Sequence, residues 1–462
     1  MFEWLKPVYH FTPRCNWMND PNGLCLVDGQ YHLFYQHNPN ADVWGDIHWG
    51  HAVSPDLIHW KRLPIAFGPD TAHGEKHCYS GSIALEAGRA WAFYTSVGEG
   101  ERNPETGAQQ WAACSDDGLK TWRRYEHNPI LPQKINGDLK VTFWRDPFVW
   151  KERDGLWYAV LGGTLEGRYG CMLLYRSPDL RQWSFVSVLH RSQEDRLLEC
   201  PNLIRMGDRY VLLCSPLCEI QYRVGRLNER FEFETESEGI FDGGSGRHGF
   251  YAPNTYMNLP GERRVVIGWM SDKGREEQPA IRGWSGAQSL PRELRLEGSR
   301  LLVDFAKECR GLRRERITGF SPEHPSLSGH QAEICLTLGH GGQGRMEMTL
   351  FSGGGEETRL VFDAQAGEMR LERERSTLLD QIDVTTLVQP VPPRADGKTS
   401  LQIFLDGSIV EICADHAVML SGRVYPSSEA ACRHAVKVTG GMRILEAEAW
   451  LPKTIFPAGD GE

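Results

Sequence analysis

The stretch SPDLIHW, Ser54–Trp60, returns twice along the chain, as SDDGLKTW (Ser115–Trp122) and SPDLRQW (Ser177–Trp183). Each copy carries Ser, an Asp two positions on and a closing Trp, and the copies start 61 and 62 residues apart. Short β-rich runs keep a similar beat: YHLFYQ from Tyr31, WAFYTS from Trp91, WYAVLG from Trp157, YVLLCS from Tyr210 and VVIGWM from Val265. Their starts lie 60, 66, 53 and 55 residues apart, and a glycine-containing turn precedes each, which reads as a hairpin between two strands. Several strands per unit at a period of about 60 residues predict β-propeller blades, and five copies predict five blades. A β-sandwich with coincidental spacing is the competing interpretation; two independent repeats in phase argue against it.

Counting eleven residues back from each run gives Asp20, Ser80, Asp146, Glu199 and Asn254. All five are polar and three are carboxylates. In a propeller, equivalent positions at the start of each first strand converge on the central channel. The repeat therefore brings Asp20, in CNWMNDPNGL (Cys15–Leu24), together with Asp146, Glu199 and the adjoining Arg145. An isolated NDPNG would read as a surface turn; the repeat makes it one wall of a pocket.

The composition agrees. The chain has 462 residues, 40% of them hydrophobic, with 49 Gly, 26 Pro and 15 Trp, which suits an all-β protein with many turns. A net charge of -10 argues against a nucleic-acid partner. No run of 18 apolar residues predicts a membrane span, and the N-terminus lacks the pattern of a secretory signal. Twelve cysteines without a Cys-x-x-Cys pair suggest reduced thiols and a cytoplasmic location.

Three carboxylates in one pocket suit calcium or acid–base chemistry. Arg145 beside Asp146, and the lack of a dense Asp-x-Asp loop, favour acid–base chemistry on a sugar with no metal and no cofactor. Glycoside hydrolysis needs one carboxyl as proton donor and another as nucleophile or base. Glu199, flanked by Leu197, Leu198 and Leu203, is expected to be desolvated and protonated; Asp20, among Asn side chains and backbone N–H groups, is expected to be ionised. Arg145 is expected to keep Asp146 ionised as an acceptor for two sugar hydroxyls. Trp17, Trp44, Trp49, Tyr79 and Trp269 are candidate platforms for a sugar face. HGEKH (His73, His77) has a helical zinc spacing, but Gly74 and the want of a third ligand make it a loop.

The motifs WMNDPNG, FWRDP and ECP, in that order, resemble those of glycoside hydrolase family 32, the invertase, inulinase and levanase family. HWGHAVSPDLIHW, YSGS, YAPNT and GWSGAQSLPREL add to the resemblance, as does IFLDGSIVEICADHAVMLSGRVYP (Ile403–Pro426) near the C-terminus. The resemblance implies an all-β chain, a five-bladed propeller followed by a β-sandwich. It implies retaining release of terminal β-fructofuranosyl units from sucrose or a short fructo-oligosaccharide. Asp20 would be the nucleophile, Glu199 the general acid/base, and Asp146 with Arg145 the transition-state stabiliser. Asn19, Gln36, Trp44, Tyr79, Ser80 and Trp269 match substrate-binding positions. The retaining carboxylate pair should lie about 5–5.5 Å apart.

Three features depart from the pattern. Asn202 stands in ECPN where the family usually has Asp, which is expected to shift the pH optimum towards acid. The segment after LLCSP is short, and DGGSGRHGF (Asp242–Phe250) has no clear place. Residues 1–300 are assigned to the propeller, 301–320 to a linker with a short helix and 321–462 to the sandwich, with a disordered tail at PAGDGE. The sandwich would stabilise the propeller, rim the pocket or form a dimer face, so the chain is a monomer or a homo-oligomer through it. A fructosyltransferase, an inverting furanosidase and a non-catalytic fructan-binding protein are the rival functions. Product analysis at high sucrose, the anomer formed first, and the proton donor at Glu199 separate them.

Overall fold

The computed structural model describes residues 2–245, 249–275 and 281–456; the expected disordered tail lies outside them. Five antiparallel four-stranded sheets follow one another, spanning residues 16–67, 77–124, 141–191, 199–245 and 250–305. They are the five blades. Their first strands, Asn16–Val27, His77–Glu86, Val141–Lys151, Glu199–Met206 and Phe250–Tyr256, lie against one another around the channel. The ring closes where the short strand Trp284–Ser285 pairs in parallel with Asn16 and Trp17 of blade one.

The Ser-x-Asp repeat is a turn between the third and fourth strands of blades one to three. Asp56 Oδ1 accepts the amides of Ile58 and His59, Asp117 Oδ1 those of Lys120 and Thr121, and Asp179 Oδ1 those of Arg181 and Gln182. The side chain thus replaces backbone partners that a tight turn lacks. Each turn also holds a leucine in the left-handed region, Leu57 (φ 68°), Leu119 (φ 69°) and Leu180 (φ 65°). The closing tryptophan packs edge-to-face on an aromatic ring: Trp60 on Phe11 at 5.8 Å, Trp122 on Phe34 at 5.7 Å and Trp183 on Phe93 at 5.6 Å. The repeat is therefore structural, and it offers the channel no chemistry.

Two six-stranded layers follow the propeller. One has the order Val418–Arg423, Ile409–Ala414, Lys398–Asp406, Gln331–Gly339, Arg443–Pro452, Arg313–Arg316. The other runs Ser326–Ser328, Arg433–Thr439, Arg345–Gly353, Glu356–Asp363, Glu368–Glu372, Leu387–Pro390. Alternate residues such as Ile334, Leu336, Met346, Met348, Ile403 and Ile412 point between the layers and are wholly buried or nearly so, as a two-sheet core requires. The stretch 301–320 holds the last strand of blade five (Arg300–Phe305), a 3-10 turn at Lys307–Leu312 and the sandwich strand Arg313–Arg316.

The glycine-rich segment after Asp242 lies where blade four meets the sandwich. Asp242 pairs in parallel with Met419. A Cβ on Gly244 or Gly249 would stand 2.1 or 2.2 Å from Ser421 O, so only glycine allows that approach. The sequence alone gives this segment no clear place; its described residues serve the domain junction. The middle of the segment, 246–248, lies outside the described residues.

Candidate active site

The first strand of every blade breaks its pairing register near its start. The breaks fall between Met18 and Pro21, Cys78 and Gly81, Arg145 and Phe148, Glu199 and Asn202, and Tyr251 and Asn254. Such bulges bend a strand and re-aim its side chains. Asp20, Ser80 and Asp146 lie within them, and Glu199 and Asn254 at their edges. Asp146 (φ 58°), Cys200 (φ 46°) and Ala252 (φ 47°) take the left-handed conformation, a strain of about 1–3 kcal/mol each.

The carboxylates meet through shared partners. Asp20 Oδ1 accepts from Asn19 Nδ2 at 3.1 Å, and Oδ2 from Gln36 Nε2 at 3.1 Å and from the Ser80 hydroxyl. Ser80 Oγ in turn accepts from Gln36. Trp17 Nε1 donates to Asn19 Oδ1 at 2.8 Å, fixing the amide that faces Asp20. Arg145 bridges the other two carboxylates, with Nε 3.1 Å from Asp146 Oδ2 and Nη1 3.0 Å from Glu199 Oε1. Its guanidinium lies 4.8 Å from the centre of the Tyr79 ring. The Cys200 amide donates to Asp146 Oδ2 at 2.9 Å, and its thiol lies 3.5 Å from Asp20 and 3.6 Å from Asp146. Asp146 Oδ1 is buried without a partner among the described residues.

Two residues beside the carboxylates escaped the sequence analysis. Tyr251 OH sits 2.8 Å from Glu199 Oε2, opposite the oxygen that Arg145 holds. Counting back eleven residues selects Asn254 instead, whose Nδ2 donates to Gly81 O at 3.2 Å and ties blade five to blade two. Cys200 is the other; it sat in view within ECP but carried no expected role.

The electrostatics reverse one expectation. Burial pushes Asp20 up to about 6, against the hydrogen bonds from Ser80 and Asn19, with the charges of Asp146 and Glu199 adding to the rise. Asp146 also lies above its ordinary value, because burial outweighs Arg145. Leu198 and Leu203, expected beside Glu199, turn instead into a core cluster with Phe148 and Trp150. The Glu199 side chain is 14% exposed, against 2% for Asp146.

The aromatic platforms divide. Trp44 is 43% exposed, 4.8 Å from His77 and 6.2 Å from Tyr79, and stands at the rim. Trp17, Trp49 and Trp269 are core residues, at most 2% exposed, and Trp17 packs on Trp269 at 5.7 Å. His77 accepts the Ile47 amide and His73 pairs with Asp70, so the two do not face a common point. Asn202 serves the bulges: its Nδ2 donates to Cys200 O at 3.1 Å and Pro253 O at 2.8 Å, and its Oδ1 accepts from Thr255.

A propeller channel that holds one buried, hydrogen-bonded carboxylate and a second, more open carboxyl beside an arginine has the two groups that a glycoside hydrolase needs. Comparison with known proteins gives the family. Residues 10–304 match the N-terminal domain of glycosyl hydrolases family 32 and residues 308–450 its C-terminal domain. A sucrose-6-phosphate hydrolase of Escherichia coli is 32% identical over 92% of this chain and 90% of its own length. A raffinose invertase of Escherichia coli is 30% identical over 96% of this chain and 94% of its own length. Among solved structures, a Bombyx mori GH32 beta-fructofuranosidase superposes with a TM-score of 0.82, at 30% identity, covering 98% of this chain and 95% of that one. The chain belongs to glycoside hydrolase family 32. It is an enzyme that hydrolyses β-fructofuranosides.

Proposed function

We propose that this enzyme is an exo-acting, retaining β-fructofuranosidase of the cytoplasm that takes sucrose or a short fructo-oligosaccharide. Glu199 protonates the glycosidic oxygen while Asp20 attacks C2 of the fructosyl unit, forming a covalent ester and releasing the aglycone. Water then attacks C2 as Glu199 takes its proton, and the Asp20 carboxylate leaves. Asp146 Oδ1, the buried acceptor without a partner, receives a fructosyl hydroxyl, with Arg145 holding Asp146 and Glu199 apart. Asn19, Gln36, Tyr79, Ser80, Trp44 and Trp269 form or back the fructosyl subsite.

The observation that carries this is the joining of Asp20, Asp146 and Glu199 through Arg145 and Cys200, each carboxylate with a different environment. The cytoplasmic placement rests on the twelve cysteines, all free thiols. Release of fructose is measured from sucrose, sucrose 6-phosphate, 1-kestose, inulin and levan, with Asp20→Ala and Glu199→Ala beside the natural enzyme. Activity on sucrose or 1-kestose that both substitutions abolish is the expected result. Release that survives Asp20→Ala unchanged would overturn the assignment of the nucleophile.

A further inference from the structure

The junction of the two domains holds a second concave site, remote in sequence from every active-site residue. A groove of about 470 Å³ lies between blade five and the sandwich. Blade five supplies Arg295 and Arg300, the connecting turn supplies Arg310, and the sandwich supplies Arg394, Asp415 and His416. Among the described residues, no carboxylate lies within 4 Å of the guanidinium of Arg295, Arg300 or Arg310; Arg295 donates only to His416 O, at 3.1 Å. Arg394 is held by Asp396 at 3.0 Å, and its Nε lies 4.0 Å from Asp415 Oδ1. These three exposed arginines, with Arg394, outnumber the acids of the same wall, Glu297, Asp304 and Asp415. An anion would supply the partner that their guanidinium groups lack.

The acids of the groove are as informative as its arginines. Asp415 is 8% exposed, and its Oδ1 accepts the Ser400 amide at 2.8 Å. Its Oδ2 is buried and has no partner among the described residues. A buried carboxylate oxygen left open is costly unless a donor reaches it. Asp304 is occupied by His416 Nδ1 at 3.0 Å, and Glu297 is the third acid at the wall. The hydrogen bond to Asp304 raises the pKa of His416, which favours the cation there. Asp415 (φ 54°) and His416 (φ 52°) are the central residues of the hairpin turn between Ile409–Ala414 and Val418–Arg423, closed by the Ala417 amide on Ala414 O, where a left-handed backbone is the ordinary requirement.

We propose that this groove binds a phosphorylated monosaccharide, the phosphate lying on Arg295, Arg300 and Arg310 and a sugar hydroxyl donating to Asp415. The ligand needs both chemistries. Inorganic phosphate satisfies the arginines and leaves the open Asp415 oxygen facing a like charge. A neutral sugar satisfies Asp415 and leaves the arginines bare. The volume falls in the range of small-molecule sites, roughly 300–1,000 Å³, with room for more than a lone oxyanion. A ligand there touches both domains, so it stabilises their junction as well.

The test is calorimetric titration of the full chain with glucose 6-phosphate, inorganic phosphate and glucose, each in the presence of saturating fructose to fill the active site. The expected result is one saturable site for glucose 6-phosphate, weaker binding of phosphate and no binding of glucose. Arg295→Gln with Arg300→Gln should weaken glucose 6-phosphate at least tenfold, because two charge-assisted contacts go. Sucrose hydrolysis by that variant should stay unchanged. Equal affinities for phosphate and glucose 6-phosphate would overturn the sugar part of the proposal. Undiminished binding in the double variant, or no binding at all, would overturn the site.

Discussion

Asp20 shows what a buried nucleophile does to an enzyme's stability. Its carboxyl is pushed from an ordinary 3.8 to about 6, so the folded chain holds that proton more tightly than the unfolded chain does. Folding stability therefore falls as pH rises from about 4 to about 6, and the penalty stays in place above that. Two pKa units correspond to about 3 kcal/mol. Asp20→Asn removes the charge but also disturbs the bonds from Gln36, Ser80 and Asn19, so the net gain is roughly 1–2 kcal/mol at pH 7. The variant should be inactive, more resistant to urea than the natural enzyme at pH 7, and no more resistant at pH 4. Urea midpoints at the two pH values check this; a gain that persists at pH 4 would rule out the linkage. For the natural enzyme, kcat/KM should fall on the acid side with an apparent pKa near 6. Asp20 itself was legible in the sequence because a repeat pointed to it. Its environment was not, since its neighbours Ser80 and Cys200 come from blades two and four.

At the scale of the element, the bulge decides the chemistry. Repeat arithmetic found Asp20, Ser80, Asp146, Glu199 and Asn254, but register belongs to a pair of strands, and no single strand's sequence shows where it slips. That is why Tyr251 was missed: it sits at the opposite edge of the break that ends at Asn254. Asn202 was read as a change in the charge beside Glu199. In the structure its amide joins the bulge of blade four, at Cys200 O, to that of blade five, at Pro253 O. Asn202→Ala leaves two buried carbonyls and the Thr255 hydroxyl without their present partner, at a cost of about 2–3 kcal/mol. Cys200 also donates its amide to Asp146, so the loss should reach the active site. The expected outcome is a lower unfolding temperature together with a reduced kcat for sucrose hydrolysis. A variant as stable as the natural enzyme would show that the bulges hold their shape without Asn202.

The whole molecule is joined by charges that no local pattern announces. His10 and Glu411 stand 401 residues apart, and their side chains meet at 2.9 Å, both wholly buried. His10 Nδ1 lies as close to Asp406. Arg292 of blade five reaches Asp242 of blade four at 2.7 Å and Glu411 of the sandwich at 2.6 Å. The sequence told of two β domains through its repeats and alternating strands, but not of this link, because each member alone looks like an ordinary surface charge. Burial pulls the His10 pKa down, yet the hydrogen bonds and charges of Asp406 and Glu411 outweigh it and leave the value raised. A raised value means that the folded state favours the protonated ring. The stability it contributes is complete below the unfolded value of about 6.5 and is lost as pH rises through the higher folded value. Asp272 works in the other direction. Arg275 and Arg423 overcome its burial and hold it at about 2, so its contribution is present above about 4 and lost as pH falls towards 2. Thermal unfolding measured from pH 2 to pH 9 should therefore show, beyond the Asp20 decline that ends near pH 6, a further decline that begins near pH 6.5. His10→Gln should unfold at a lower temperature at pH 6, by the equivalent of about 3 kcal/mol, and should lose that decline. Its acid limb, which Asp272 governs, should remain. A variant that kept the alkaline decline would assign it to another group, and the junction between propeller and sandwich would then be held without a charged His10.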